Sequence, residues 1–197
     1  MAGSPKCAEQ TCDSALRASA RSVAKYCSAR CRQRASRRRR TVPAEMTARP
    51  NWVRRTARKV PVTTQWRRVA SVTDRSTWTT YREASRARNG VGLGFVLDGS
   101  GVVCIDLDHC LTDGVVAPWA RAILDRLPAT FIEISASGQG LHAFGRGHVP
   151  AGRRIRREDG AAIEIYGDRR YIAITGVRFE AAPSVLADLS EVIADLI

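Results

Sequence analysis

Two aspartates stand one residue apart in "GVVCIDLD" (101–108), an otherwise apolar, strand-like run. Side chains two apart on a strand share a face, so Asp106 and Asp108 point one way and Ile105 and Leu107 the other. Carboxylates this close repel one another unless a cation lies between them, and Mg²⁺ or Mn²⁺ suits oxygen ligands. The plain alternative is a solvated pair at a strand edge, which the apolar run leading into them disfavours. "SASGQGLHAFG" (135–145) has Ser135, Ser137, Gly138 and Gly140 in a small, polar turn entering a strand with His142. Small residues let backbone N–H groups approach a phosphate closely. His142 could bond the same phosphate, although a lone strand histidine also serves purely structural ends. In "AAIEIYG" (161–167), Glu164 alternates with Ile163 and Ile165, so it faces away from the apolar side as the aspartates do. Three carboxylates on one polar sheet face could hold two metal ions about 4 Å apart, the arrangement that serves in-line phosphoryl transfer.

A second group of ligand-type residues lies near the start. "CAEQTC" and "CSARC" put Cys7, Cys12, Cys27 and Cys31 in two close pairs. In a reducing cytosol, thiolates so spaced read as a tetrahedral zinc site, with disulfides or unpaired thiols as the alternatives. A segment this short has little core of its own, and zinc ligation would supply the missing folding free energy.

The elements that must position these residues follow from the pattern. Residues 1–40 form a basic, zinc-finger-like module of four cysteines by composition; 41–50, with two prolines and no apolar period, reads as a linker; 51–197 reads as the catalytic domain. "VGLGFVL" (91–97) and "GVVCIDLD" are strands joined by "DGSG", a hairpin turn signal. "APWARAILDRL" (117–127) has helical spacing. "TFIEIS", "LHAFG", "AAIEIYG" and "RYIAITG" read as further strands, and "APSVLADLSEVIADLI" (182–197) as a terminal helix started by Pro183 and Ser184. The fold class expected is α+β, a mostly antiparallel sheet with helices on one face.

Charge is unevenly spread. The net charge is +13; residues 1–40 hold eleven Lys/Arg against two Asp/Glu, 41–90 eleven against three, and the remainder ten against fourteen. A basic half before an acidic half fits nucleic acid or polyphosphate held beside metals. Seven arginines fall between Arg30 and Arg40, and if that run is helical its basic face would lie along phosphates. No run of about 18 apolar residues exists and no apolar leader opens the chain, so a bacterial or phage cytoplasmic protein is expected.

The ordered set Asp106-Leu107-Asp108, Ser137-Gly138 before His142, and Ile163-Glu164 resembles the three motifs of the archaeo-eukaryotic primase superfamily. "STDRSTWTTYREA", "GLGFVL", "IDLDHCL", "PWARAI", "SASGQGLHAFGRG" and "AIEIYGDRRYIAITG" resemble more closely the bifunctional primase/polymerase domain of phage and plasmid replication proteins. "KYCSARCRQR" is similar to a short zinc-binding segment. The resemblance implies an RRM-like palm with flanking helices that performs template-dependent nucleotidyl transfer as a DNA primase and DNA polymerase. Asp106, Asp108 and Glu164 would hold two Mg²⁺ or Mn²⁺ ions, with His142 as the fourth catalytic residue. Ser137, Gly138, His142, Arg169, Tyr171 and Lys59 would bind the nucleotide, and Cys7, Cys12, Cys27 and Cys31 a structural Zn²⁺. Single-stranded DNA template, nucleoside triphosphates and a separate replicative helicase are the implied partners, with no membrane involved.

Two other readings use the same residues. A metal-dependent nuclease would employ the three carboxylates, but the lysine common in such sites is missing and the Gly-rich turn before His142 suits a triphosphate better. A non-catalytic zinc-finger DNA-binding protein would not need Asp106, Asp108, His142 and Glu164 together. Cys104 reads as packing. Trp52, Trp66 and Trp78 lie among basic residues, where they could stack bases or serve the core.

Overall fold

The structure, a computed structural model, describes residues 7, 12, 14, 16, 25–33, 41–65, 68–156, 158, 160 and 162–197. It divides into two compact units, Met1–Thr41 and Val42–Ile197. In the first, residues 29–33 are helical; the arginines at 34–40, and also Trp66 and Arg67, lie outside the described residues.

The second unit runs α1 (Ala44–Thr47), β1 (Trp52–Arg55), β2 (Pro61–Val62), a 3₁₀ turn (Arg75–Thr77), α2 (Tyr81–Arg86), β3 (Gly92–Leu97) and β4 (Val102–Asp108). It continues through β5 (Leu111–Thr112), β6 (Val115–Val116), α3 (Pro118–Leu124), β7 (Phe131–Ile134), β8 (Leu141–Arg146) and β9 (Arg153–Arg156). β10 (Ala162–Tyr166), β11 (Arg170–Ile174), β12 (Ala187–Asp188) and α4 (Ser190–Leu196) follow. One sheet has the order β11-β3-β1-β2; the other has β12-β8-β4-β10-β9, with β7 also paired to β8. Among the described residues, every strand pairing is antiparallel except β12 with β8. The α+β class read from the sequence is the one observed.

Alternation along β4 explains both layers and the site. Val103, Ile105 and Leu107 pack on one side with Ala120, Ile123 and Leu124 of α3 and Val192 and Ile193 of α4. Val102 and Cys104 face the other way and share a core with Trp52, Phe95, Leu97, Ile172 and Ile174 of the first sheet. Each large apolar side chain fully buried there contributes about 1.5–3 kcal/mol. Further along the strand, that same inter-sheet face presents Asp106 and Asp108, side by side where the sandwich opens. Trp52 is fully buried and Cys104 is too, so both belong to packing; Trp78 is half-buried, under the Arg75 guanidinium.

Three expectations about elements change. β3 and β4 do not form a hairpin: β3 pairs with β1 and β11, β4 with β8 and β10. Gly99 and Gly101, both at positive φ, turn the chain from one sheet into the other. The terminal helix begins at Ser190 rather than near Pro183. The residues before it are extended, with Leu186 entering the inter-sheet core and Ala187 paired to Gly145; apolar spacing alone does not separate these two states. Finally, 41–50 carries α1, whose Met46 is fully buried and whose carbonyl accepts from Trp52 Nε1 at 3.0 Å. Its two prolines conceal a single anchoring side chain.

Candidate functional site

A row of polar side chains crosses five strands of the second sheet. Glu133, His142, Asp106, Glu164 and Arg154 are successive partners on β7, β8, β4, β10 and β9. Because cross-strand partners share a face, all five project from the side that packs against the first sheet. Asp106 and His142 sit opposite one another with Oδ1 3.7 Å from Nε2. Asp108, two residues along β4, joins them. One ligand oxygen each from Asp106, Asp108 and Glu164 lies within 4.8 Å of the others.

The first sheet closes the other side. A cavity of about 470 Å³ is lined by Asp106, Asp108, His142 and Glu164 together with Lys59, Arg169, Arg170 and Tyr171. Lys59 belongs to the β1–β2 turn, where Thr56 N–H donates to the Val60 carbonyl at 2.9 Å. Lys59 and Arg169 have φ of 58° and 49°, a left-handed conformation that costs a non-glycine residue about 1–3 kcal/mol. Both strained turns put a cation on the same cleft, so the lysine expected to be missing beside the three carboxylates is present as Lys59. The Tyr171 ring lies over Gly94, where a Cβ would come within 1.9 Å of it; the Tyr171 hydroxyl is buried without a hydrogen-bond partner.

Residues 32–191 match the family described as "Bifunctional DNA primase/polymerase, N-terminal". The chain belongs to that family. It is also similar to the "DNA Primase-polymerase" of Nitratiruptor phage NrS-1, at 37% identity over 142 residues, which is 68% of this chain and 20% of the phage protein. The chain thus spans about a fifth of the length of that relative.

The carboxylates of this primase/polymerase domain fit divalent metal. Asp106 Oδ1 is buried and has no hydrogen-bond partner, a costly state for an acceptor unless a ligand completes it. Burial, opposed by His142 and reinforced by Asp108 and Glu164, pushes the Asp106 carboxyl up to about 6. A hard cation among three oxygen donors would reverse that penalty.

Glu133 is a residue that sequence reasoning did not select. It is fully buried and accepts from Gly176 N–H at 2.7 Å, Thr175 N–H at 3.1 Å and Thr175 Oγ1 at 3.3 Å. His142 Nδ1 lies 3.0 Å from Glu133 Oε1. An ionised carboxylate only accepts, so Nδ1 carries the proton and Nε2 faces the cleft. Burial alone would lower the His142 pKa; the Glu133 hydrogen bond and the Asp106 charge outweigh it, and the net shift is upward. The signal for Glu133 is present in "TFIEIS", one acid in an apolar strand, which is the pattern that marks Glu164. Arg154 and Arg170 also went unselected: they reach Glu164 at 2.8 and 3.1 Å.

Ser137 and Gly138 fall elsewhere. They form the turn before β8, outside the residues lining the cleft. Gly138 has φ 79°, its N–H donates to the Ser135 carbonyl at 3.0 Å, and the N–H groups of Gln139 and Gly140 donate to the Ser137 and Ser135 hydroxyls. These amides are used within the turn itself.

In the first unit, Cys7, Cys12, Cys27 and Cys31 converge. Cys12 and Cys31 sulfurs each lie 3.6 Å from that of Cys27, and none of the cysteines forms a disulfide. Tetrahedral Zn–S bonds of about 2.3 Å give S···S separations of about 3.8 Å, whereas a disulfide requires about 2.05 Å.

Proposed function

We propose that this chain catalyses template-dependent nucleotidyl transfer, as a DNA primase and DNA polymerase in phage or plasmid replication. The observation that carries the reading is the meeting of Asp106, Asp108 and Glu164 within 4.8 Å in a cleft rimmed by Lys59, Arg169 and Arg170. Membership of the primase/polymerase family supports it, as does likeness to a phage primase-polymerase. The cleft is also large enough for a nucleotide, at about 470 Å³.

Two Mg²⁺ or Mn²⁺ ions, when bound, would supply activation of the primer 3′-hydroxyl and charge neutralisation on the triphosphate. Asp106, Asp108 and Glu164 are the residues to hold them. His142, its Nδ1–H held by Glu133, donates from Nε2 to a phosphate oxygen as the imidazolium, the form that its upward pKa shift favours. Lys59 and Arg169 offset the triphosphate charge, and Tyr171 bounds the nucleotide from the first sheet. Ser137 and Gly138 contribute by fixing the turn that leads into His142. Cys7, Cys12, Cys27 and Cys31 form a structural zinc site in a separate module over residues 1–40, which adds a basic surface for template. Single-stranded DNA and nucleoside triphosphates are the substrates, a replicative helicase is the partner, and the bacterial cytoplasm is the location; no helix among the described residues is long and apolar enough to cross a membrane.

The test is primer extension and de novo synthesis on single-stranded DNA with Mg²⁺ or Mn²⁺, comparing the wild type with Asp106→Ala/Asp108→Ala. Synthesis by the wild type alone is expected. Template degradation without synthesis would replace the polymerase with a nuclease, and DNA binding with neither reaction would leave a recognition module.

A further inference from the structure

Glu164 differs from the aspartates beside it in one respect: its charge is already paired with two arginines. Arg154, its partner on the edge strand β9, has Nε 2.8 Å from Oε1. Arg170 reaches across from β11, in the other sheet, to within 3.1 Å of Oε2. The Tyr166 hydroxyl donates to the same oxygen at 2.8 Å, and the Arg170 guanidinium stacks on the Tyr166 ring at 4.3 Å. The Glu164 side chain is 5% exposed, while those of Arg154 and Arg170 are 50% and 48% exposed. A buried carboxylate is thus held by two cations that are themselves half in water. Asp106 is the reverse case, with a buried oxygen that has no hydrogen-bond partner.

Resting on the metal-dependent reading above, we propose that Arg154 and Arg170 are displaceable counter-charges on Glu164, positioning residues that compete with divalent metal for it. In metal-free protein they stabilise a carboxylate that would otherwise be an uncompensated buried charge. A divalent ion ligated by the same carboxylate at about 2.1 Å meets two guanidinium groups held by its other lone pairs, and like charges so close repel. The arginines can yield because their side chains, long and flexible, are already about half exposed. Arg170 lines the cleft, so its released charge stays available to a polyanion there. Metal binding and anion binding then favour one another, and by linkage the preference is reciprocal.

The competition is measured with Mn²⁺ alone, by electron paramagnetic resonance of the free ion at low ionic strength, on the full chain. Arg154→Gln and Arg170→Gln are each expected to bind Mn²⁺ about two- to fivefold more tightly than the wild type. Arg170→Lys, which keeps the charge, should stay close to the wild type. Metal-free melting separates this from a structural role. Both Gln variants should melt lower than the wild type in chelator and gain more from added Mn²⁺. Unchanged or weaker Mn²⁺ binding in both Gln variants, with cooperative melting retained, overturns the counter-charge role while leaving the metal centre intact. No Mn²⁺ binding by the wild type, or binding that survives Asp106→Asn and Glu164→Gln, would overturn the metal centre and this inference together.

Discussion

Glu133 on β7 and His142 on β8 face one another across the sheet with 3.0 Å between Oε1 and Nδ1. That contact lies beside the metal-type carboxylates, in the same cross-strand row, and ties them to the rest of the fold. The same Glu133 carboxylate accepts two N–H groups from Thr175 and Gly176, which leave β11 of the other sheet. One buried charge therefore joins the sheets, fixes an imidazole tautomer and points Nε2 at Asp106.

Removing this charge has two separable effects. Glu133→Ala takes this acceptor from four donors, His142 Nδ1, Thr175 N and Oγ1, and Gly176 N, and should cost about 2–4 kcal/mol in urea unfolding. Glu133→Gln keeps the volume and part of the bonding, so it should fold. Its effect is expected on nucleotide use, with kcat/KM for the triphosphate down about tenfold or more, the range for groups that orient a site residue. Steady-state primer extension at varied triphosphate measures it, and a long-range ¹H–¹⁵N spectrum of His142 should register a change of tautomer population. An unchanged spectrum together with unchanged kinetics would remove Glu133 from the orienting role.

Much of the site can be read from residue order, and the reason is local. Asp106, Asp108 and Glu164 announce themselves because each interrupts an apolar alternation, and a strand's period of two says which way they point. Glu133 carries the same signature but belongs to no motif that draws attention to it. What sequence cannot supply is pairing between distant strands. Nothing in "RRIR" or "DRRYIAI" says that Arg154 and Arg170 converge on Glu164 from opposite sheets. Likewise "DGSG" fits a hairpin and a corner equally well, because glycine permits both and only the partner strands decide. The small residues of the Ser137-Gly138 turn suggest a phosphate cradle; its amides instead close upon Ser135 and Ser137.

Metal and stability should trade against one another at Asp106. With chelator at neutral pH, a buried oxygen without a donor and two neighbouring carboxylates disfavour the charged form. Asp106→Asn is therefore expected to melt higher than the wild type in chelator, by about 1–2 kcal/mol at the midpoint. Added Mn²⁺ should stabilise the wild type and leave Asp106→Asn nearly unaffected. Differential scanning fluorimetry with and without metal reads both arms, and a lower melting temperature for Asp106→Asn in chelator would contradict the account.

Acid should loosen the corner between β3 and β4. Burial raises the Asp98 pKa, but hydrogen bonds from Ser100 and Asn51 and the Arg75 charge more than compensate, and the net shift is downward. A carboxylate whose folded pKa is depressed contributes stability above its unfolded value, about 3.9, and loses that contribution as pH falls through the folded value. The wild type should thus exceed Asp98→Asn in stability at pH 7, and the gap should close below about pH 4. Urea midpoints across pH 3 to 7 test this; a gap that persists unchanged at low pH would assign it to packing.

Zinc should be essential to the small unit and irrelevant to the large one. The wild type is expected to carry one Zn²⁺ per chain by metal analysis, released on thiol titration in the presence of a chromogenic chelator. Cys27→Ser removes the sulfur that neighbours those of both Cys12 and Cys31 and should abolish stoichiometric zinc. Serine preserves size, so any loss reflects the thiolate rather than packing. The unit Val42–Ile197 has its own core, and its melting transition should be the same in both proteins. Single-stranded DNA affinity is expected to fall in Cys27→Ser, more at low salt than at high, since the arginines that follow Cys31 act by charge. A wild-type protein free of metal would end the zinc assignment; retained zinc with unchanged DNA affinity in Cys27→Ser would end the role given to this thiolate.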